Sequence, residues 1–301
     1  MRCVRSVTLL NVGSDLFVDV TAEVPVAEYS DGAGPDPQRV AGVDLGIIHP
    51  FAVASPDGGL LVSGRALRAE NRLHLAEKKA RARAVARRAP KPGQAGSRRW
   101  RQYRATTRRL EERHRHRVAQ ANHEAARAVV DFAVKERIGT LVVGDPRGLL
   151  AEDSGKRQNL AVNNWRPGQL IGALTDKATV AGIEVELVDE RGTSSTCPCC
   201  GRRVAKPKGR RFSCSHCGLV AHRDVVGAVN IASRGSRGGG TFDPSGLEIM
   251  HRRAGRHLPG RTRRDPRRVT MDHHRDLAGP WPAVARPEEL GESLAQAASA
   301  T

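Results

Sequence analysis

Aromatic side chains are nearly missing from this chain. Phe, Tyr and Trp make up 3% of its 301 residues, so a core has to be filled by Val, Leu, Ile and Ala. Acidic residues are scarce as well: 32 Asp and Glu face 50 Lys and Arg, a net charge of +18. A surplus of that size calls for a polyanionic partner. Nucleic acid is the usual one, and an anionic membrane surface is the rival. No apolar run approaches the ~18 residues of a spanning helix. The opening residues MRCVRSVTLLNVGSDLF lack an apolar h-region and a small-residue cleavage site, so a cytoplasmic location is expected. In a reducing compartment the clustered cysteines, five of the chain's six, read as metal ligands, not disulfides.

The chain opens with SVTLLNVGSDLFVDVTAEVP, whose alternating pattern about an Asn-Val-Gly-Ser turn predicts a β-hairpin. A Pro/Gly/Asp-rich linker leads to RVAGVDLGIIHPFAVASPDGGLLVSG, which predicts three strands, with Asp44 in the middle of the first. Residues 65–117 hold 19 Lys and Arg against 4 Asp and Glu. Their helix-forming composition breaks at APKPGQAGS, so a helical hairpin over 65–137 is expected. Its second arm carries Val118, Ala121, Ala125, Val129 and Phe132 at helical spacing, a face to bury. A mixed charge pattern would be a solvated helix. This nearly single-signed run repels itself unless phosphates neutralise it, which makes Arg98, Arg99, Arg101, Arg104, Arg108 and Arg109 candidate nucleic-acid contacts. Beyond it lie a buried strand in IGTLVVGDPRGLL, a polar loop over 151–168, a helix from about Pro167 to Ala181 and a strand in GIEVELVDE. A short helix, DVVGAVNIA, starts at Asp224. From Ser233 the chain is Gly/Arg/Pro-rich, and 235–301 is expected to be a basic, mostly disordered tail.

Two sets of residues carry chemistry. Cys197-x2-Cys200 and Cys214-x2-Cys217, 13 residues apart, supply four thiolates for one tetrahedral zinc, with Gly201 and Gly218 after the knuckles turning backbone amides toward the sulfurs. Cys199 is a competing thiol. A closed four-cysteine site is structural and catalyses nothing by itself. The second set is carboxylates at element ends. Asp44, in GVDLGI, sits in an apolar strand and is costly to bury unless a cation meets it. A pair of magnesium ions would do so, as in phosphodiester-cleaving sites, although a surface-edge aspartate fits the same pattern.

The order Asp strand, two strands, helix, strand, helix, strand, Asp helix is the RNase H-like, RuvC-type layout. With AGVDLGIIHPFAVAS, TLVVGDPRGLL, DERGTSSTCPCCG…FSCSHCG and AHRDVVGAVNIA, residues 6–234 resemble the TnpB (OrfB-type) proteins of insertion sequences, relatives of type V CRISPR effectors. The resemblance implies an α/β RNase H-like (RuvC-type) mixed sheet over 37–195, an inserted zinc ribbon over 196–220 and a final catalytic helix over 221–234. It also implies RNA-guided, magnesium-dependent DNA cleavage by a transposon-associated protein, with DNA and a guide RNA as partners. Asp224 matches the second acid of the family's last motif, and His222 replaces the first.

Two departures stand out. Where the family has a catalytic Glu, this chain has Gly144. Asp145 follows but points to the opposite face of a strand. Glu190, one strand further out, is the better candidate to complete Asp44 and Asp224; otherwise the site is dead and the protein only binds nucleic acid. Only 43 residues precede Asp44, so 1–36 reads as a remnant of the family's N-terminal β region, in a truncated copy or one with a late-assigned start.

Overall fold

The computed structural model describes residues 4–12, 15–23, 26–27, 29, 34–146, 155, 164–205, 209–237 and 240–258. Most of the loop expected at 151–168 lies outside these, as does the chain after 258. Residues Met1–Arg261 cluster as one compact unit.

At the front, β1 (Val4–Val12) and β2 (Asp15–Ala22) form an antiparallel two-stranded sheet. The main sheet has six strands: β3 (Asp36–Asp44), β4 (Phe51–Ser55), β5 (Gly58–Ser63), β6 (Ile138–Asp145), β7 (Glu184–Asp189) and β10 (Ile249–Arg253). Their order is β10-β5-β4-β3-β6-β7. Strands β3, β4 and β5 form an antiparallel meander, while β3, β6 and β7 run parallel. Two short strands, β8 (Arg211–Ser213) and β9 (Val220–His222), pair antiparallel on either side of the second cysteine knuckle, and β9 leads into the last helix.

Strand periodicity sorts the core onto two faces. Ala41 and Val43 of β3, Phe51 and Val53 of β4, and Leu141 and Val143 of β6 share one cluster. That cluster also takes Ala125, Val129 and Phe132 of α2 (Arg98–Lys135) and Leu170 and Leu174 of α3 (Pro167–Val180). The alternate residues face the other way: Ala52 and Ala54 meet Val225, Ala228 and Val229 of α4 (Arg223–Ala232), and Val40 and Val142 meet Ile231. Each fully buried Val, Leu or Phe contributes about 1.5–3 kcal/mol. With so few aromatics, many small contributions have to add up.

The helical hairpin is α1 (Arg65–Ala86) and α2, whose N-terminus is capped by Ser97 accepting from the Trp100 amide at 3.2 Å. Its few acids tie the two arms. Buried Glu70 accepts from Arg117 at 2.8 Å, and Glu111 accepts from Lys78 at 3.0 Å. Spent in this way, the acids leave the arginines of α2's first turns facing outward.

The structure corrects two expectations. Asp44 closes β3 instead of lying inside it. The segment expected to be disordered from 235 onward contains β10, which adds to the sheet in parallel beside β5, with Ile249 opposite Gly59. Downstream of it Ala254 and Leu258 are buried, and Glu124 of α2 accepts from the amides of Gly255 and Arg256 at 2.9 and 3.0 Å. The stretch LEIMHRRAGRHL holds little apolar area of its own. Its order comes from the unpaired edge of β5, a context that composition does not show.

Helix α4 lies on bare backbone. A Cβ on Gly42 would stand 1.9 Å from the Ala228 carbonyl oxygen and 2.6 Å from the Ala232 nitrogen, neither of which can give way without moving the helix. Overpacking of this kind costs roughly 3 kcal/mol or more. Gly42→Ala should therefore lower the melting temperature by about 6–12 °C. An unchanged melting temperature would show that α4 is not seated there.

Candidate active site and metal centre

Three sequence-predicted acids meet at one end of the sheet, on the α4 side. Asp44 ends β3, Glu190 follows β7, and Asp224 lies in the first turn of α4. All three line a cavity of about 790 Å³, together with Arg68, Arg203, Arg210 and Arg223. Asp44 reaches under the helix because residue 227 is glycine: a Cβ there would sit 3.3–3.5 Å from the Asp44 carboxylate. Burial, and after it the charges of Glu190 and Asp224, raises the Asp44 carboxyl well above the usual range.

Glu190 takes the space that a side chain at 144 would need. Val43 pairs with Val143 and Gly144 with Val188, so Asp44, Gly144 and Glu190 fall on the same face of adjacent strands. A Cβ on Gly144 would lie 3.1 Å from both Cβ and Oε2 of Glu190, and 2.7 Å from Cδ1 of Ile231. Asp145 has the opposite parity and lines a separate depression with Leu187, Asp189 and Arg191. Burial first, then the charges of Asp145 and Asp189, pushes Glu190 up to about 7. Its Oε2 is buried with no hydrogen-bond partner, a cost that a cation would remove. The donor set of carboxylate oxygens suits magnesium.

Asp224 is differently placed. Its Oδ2 lies 2.8 Å from His49 Nδ1, and Arg210 Nη1 donates to Oδ1 and Oδ2 at 2.7 and 2.8 Å. Burial works against the charge, but the His49 hydrogen bond and the Arg210 charge hold its carboxyl below the usual range. Sequence reasoning missed both partners. His49 is returned to the site by a tight turn in which the Gly46 amide donates to the His49 carbonyl at 2.9 Å. The one local signal was a histidine five residues after a strand-end acid. Arg210 had no signal among so many arginines.

The four predicted cysteines converge. One sulfur from each of Cys197, Cys200, Cys214 and Cys217 lies within 4.8 Å of all the others, with Cys197–Cys217 at 3.5 Å and Cys200–Cys214 at 3.7 Å. Sulfurs at about 2.3 Å from one tetrahedral zinc stand about 3.75 Å apart, so the set fits that ion. Cys199 is outside the group. Gly201 and Gly218 adopt φ of 70° and 76°, the left-handed turn that lets their amides donate to the Cys197 and Cys214 carbonyls. Chiefly through the Cys217 backbone amide, the Cys214 thiol is drawn down to about 6. Asn230 of α4 donates to the carbonyls of Thr193 and Thr196 at 2.7 Å each, tying the approach to the knuckle to the helix that bears Asp224.

The arginines predicted to meet nucleic acid, Arg98, Arg99, Arg101, Arg104, Arg108 and Arg109, are all exposed on the first half of α2. Arg104 lies over the Trp100 ring at 4.8 Å, which stiffens that turn.

Sheet, helices and ribbon make this an RNase H-like, RuvC-type α/β fold with a four-cysteine insertion ahead of its last helix. Residues 21–150 match the family described as OrfB_IS605, Probable transposase, and 168–231 match the Cas12f1-like TNB domain. TnpB-like protein MJ0751 of Methanocaldococcus jannaschii is 28% identical over 141 residues, 46% of this chain and 50% of that protein. The CRISPR-associated endodeoxyribonuclease Cas12f1 of Sulfoacidibacillus thermotolerans is 35% identical over 116 residues, 37% of this chain and 26% of that one. The structure of a Cas12f1-sgRNA-target DNA complex superimposes with a TM-score of 0.51 at 18% identity, covering 76% of this chain and 56% of that one. A CRISPR-Cas12f ternary complex gives 0.53 at 19%, covering 73% and 42%. The matched region spans half or less of each of these curated relatives. By these matches the chain is similar to TnpB-type proteins and to the Cas12f nucleases. No helix among the described residues is long and apolar enough to cross a membrane.

Two outcomes follow from this geometry. Between pH 4.5 and about 7 folded Glu190 keeps a proton that the unfolded chain has lost, so stability falls as pH rises through that window. Discounted for partial exposure, the loss is about 2 kcal/mol. Chemical denaturation of metal-free protein should show it, and Glu190→Gln should make it shallower, leaving the part that Asp44 contributes. For the cysteines, elemental analysis of Cys214→Ser should show zinc lost, while Cys199→Ser retains one zinc per chain.

Proposed function

We propose that this chain is the nuclease part of a TnpB-type, RNA-guided, magnesium-dependent DNA endonuclease acting in the cytoplasm. The observation that carries this reading is the Glu190 carboxylate folded over Gly144, beside Asp44 and opposite Asp224, in a cavity rimmed by arginines. Magnesium held by Asp44, Glu190 and Asp224 would supply a Lewis acid and an activated water. Around it Arg68, Arg203 and Arg223 neutralise the phosphate of the strand entering the cavity. Glu190, poised near neutrality, would hold such a cation in place of its proton. Arg210 holds Asp224 ready and balances its charge until then. The arginines of α2 track phosphates without reading sequence. Base pairing with a guide RNA supplies specificity, by the logic of other RNA-guided nucleases. Cys197, Cys200, Cys214 and Cys217 would hold a structural zinc, which would brace the ribbon against α4.

A second reading, a nucleic-acid-binding protein that does not cut, is favoured by one observation. Arg210 and His49 engage both oxygens of Asp224, and a carboxylate so occupied is slower to accept magnesium.

Cleavage of DNA complementary to the RNA that co-purifies with the chain, with and without magnesium, separates the two. Glu190→Ala should cut at least about 100-fold more slowly, as expected for loss of a metal ligand, while binding is unchanged and Asp145→Ala stays close to wild type. Undiminished cutting by Glu190→Ala would remove that residue from the site. Binding without cutting by the wild type would select the second reading.

A further inference from the structure

His49 and His222, two imidazoles that neither the acid trio nor the cysteine site uses, form a constellation with Asp224. His49 comes from the turn after β3, His222 ends β9, and Asp224 lies two residues later in α4. One ligand atom from each lies within 4.8 Å of the other two. His49 and Asp224 are 8% and 6% exposed, and the two imidazole rings meet edge to face with centroids 5.5 Å apart.

A purely structural role accounts for half of this. His49 can be read as a hydrogen-bond partner that steadies Asp224. His222 cannot, because its Nδ1 is buried with no hydrogen-bond partner, and an unsatisfied buried nitrogen costs about 1–3 kcal/mol. A bound cation would give that ring a partner. The spacing already suits one: two ligand atoms about 2.1 Å from a common ion, at a right angle, lie about 3 Å apart. His49 Nδ1 and Asp224 Oδ2 are at 2.8 Å. Two imidazoles with one carboxylate also differ chemically from an all-oxygen site. Nitrogen donors favour manganese, iron, cobalt and zinc over magnesium, which prefers oxygen and water.

We propose that His49, His222 and Asp224 bind a divalent first-row transition ion in preference to magnesium, and that Arg210 competes with that ion for Asp224. The guanidinium, on a side chain 35% exposed, neutralises the carboxylate when no ion is there and has room to swing toward the cavity when one arrives. The site shares Asp224 with the proposed catalytic trio, but it stands on the imidazoles and does not require that the chain cut DNA.

Manganese is the probe, because its resonance reports binding directly and its hard character keeps it off the cysteines. The zinc-loaded full chain, stripped of nucleic acid, is titrated with Mn2+ in an about hundredfold excess of Mg2+, a ratio that an all-oxygen site would not withstand. The expected result is one bound manganese per chain, with spin-echo couplings from directly coordinated nitrogen. His49→Ala and His222→Ala should each weaken binding by about tenfold or more, and Arg210→Ala should tighten it several-fold. Asp44→Asn should keep the nitrogen-coupled ion while abolishing any cutting, so failure of the nuclease reading and failure of this one are told apart. Wild-type protein without nitrogen couplings, or releasing its manganese to equimolar Mg2+, overturns the proposal whatever the variants do. Zinc content checks that each variant is folded.

Discussion

The acidic end of this protein depends on the contact between helix α4 and the naked backbone of β3 at Gly42. Because no side chain intervenes, the helix sits low enough for Asp224 to share a cavity with Asp44 and for Gly227 to pass over the Asp44 carboxylate. The same closeness brings Ile231 onto Gly144 and leaves Glu190 the remaining space. Small residues at three positions, on two strands and a helix, thus set the positions of three acids. A larger residue at Gly42 would lift the helix, and one at Gly144 would displace Glu190 or Ile231.

Charge is distributed with the same economy. The chain is strongly basic, yet three of its acids meet where the sheet ends and Glu70 and Glu111 join the hairpin arms. Burial is the first reason that Asp44 and Glu190 hold their protons more tightly than an exposed carboxyl; neighbouring acids add to it, Glu190 and Asp224 for Asp44, and Asp145 and Asp189 for Glu190. Asp224 avoids this by pairing with Arg210 and His49. The result is an unequal trio: two acids waiting for a cation and one already provided with a substitute.

Much of this was legible beforehand, for identifiable reasons. Apolar runs in RVAGVDLG and LVVGD marked strands, period-2 parity turned Asp145 away from the face of Gly144, and Glu190 stood out as the acid at the end of the next strand. The helical hairpin announced itself by composition and by the break at APKPGQAGS, and the cysteine knuckles by spacing. Hidden were features made by distant partners. His49 enters the site through a backbone turn, and Arg210 is chosen by geometry from among many equivalent arginines. The order in 240–258 is lent by the edge of β5 and the acceptor Glu124, so local composition pointed to a disordered tail.

That last strand also bears on how the molecule is made. Strand β5 is complete by Ser63, but the strand that covers its edge comes nearly two hundred residues later. Throughout the intervening synthesis the nascent chain carries an open strand edge, a ready template for pairing with a neighbouring chain on the same message. Folding to a monomeric sheet is then a race between the ribosome reaching β10 and association with another growing chain. Such a protein should be more prone to aggregation on crowded polysomes than its finished sheet suggests.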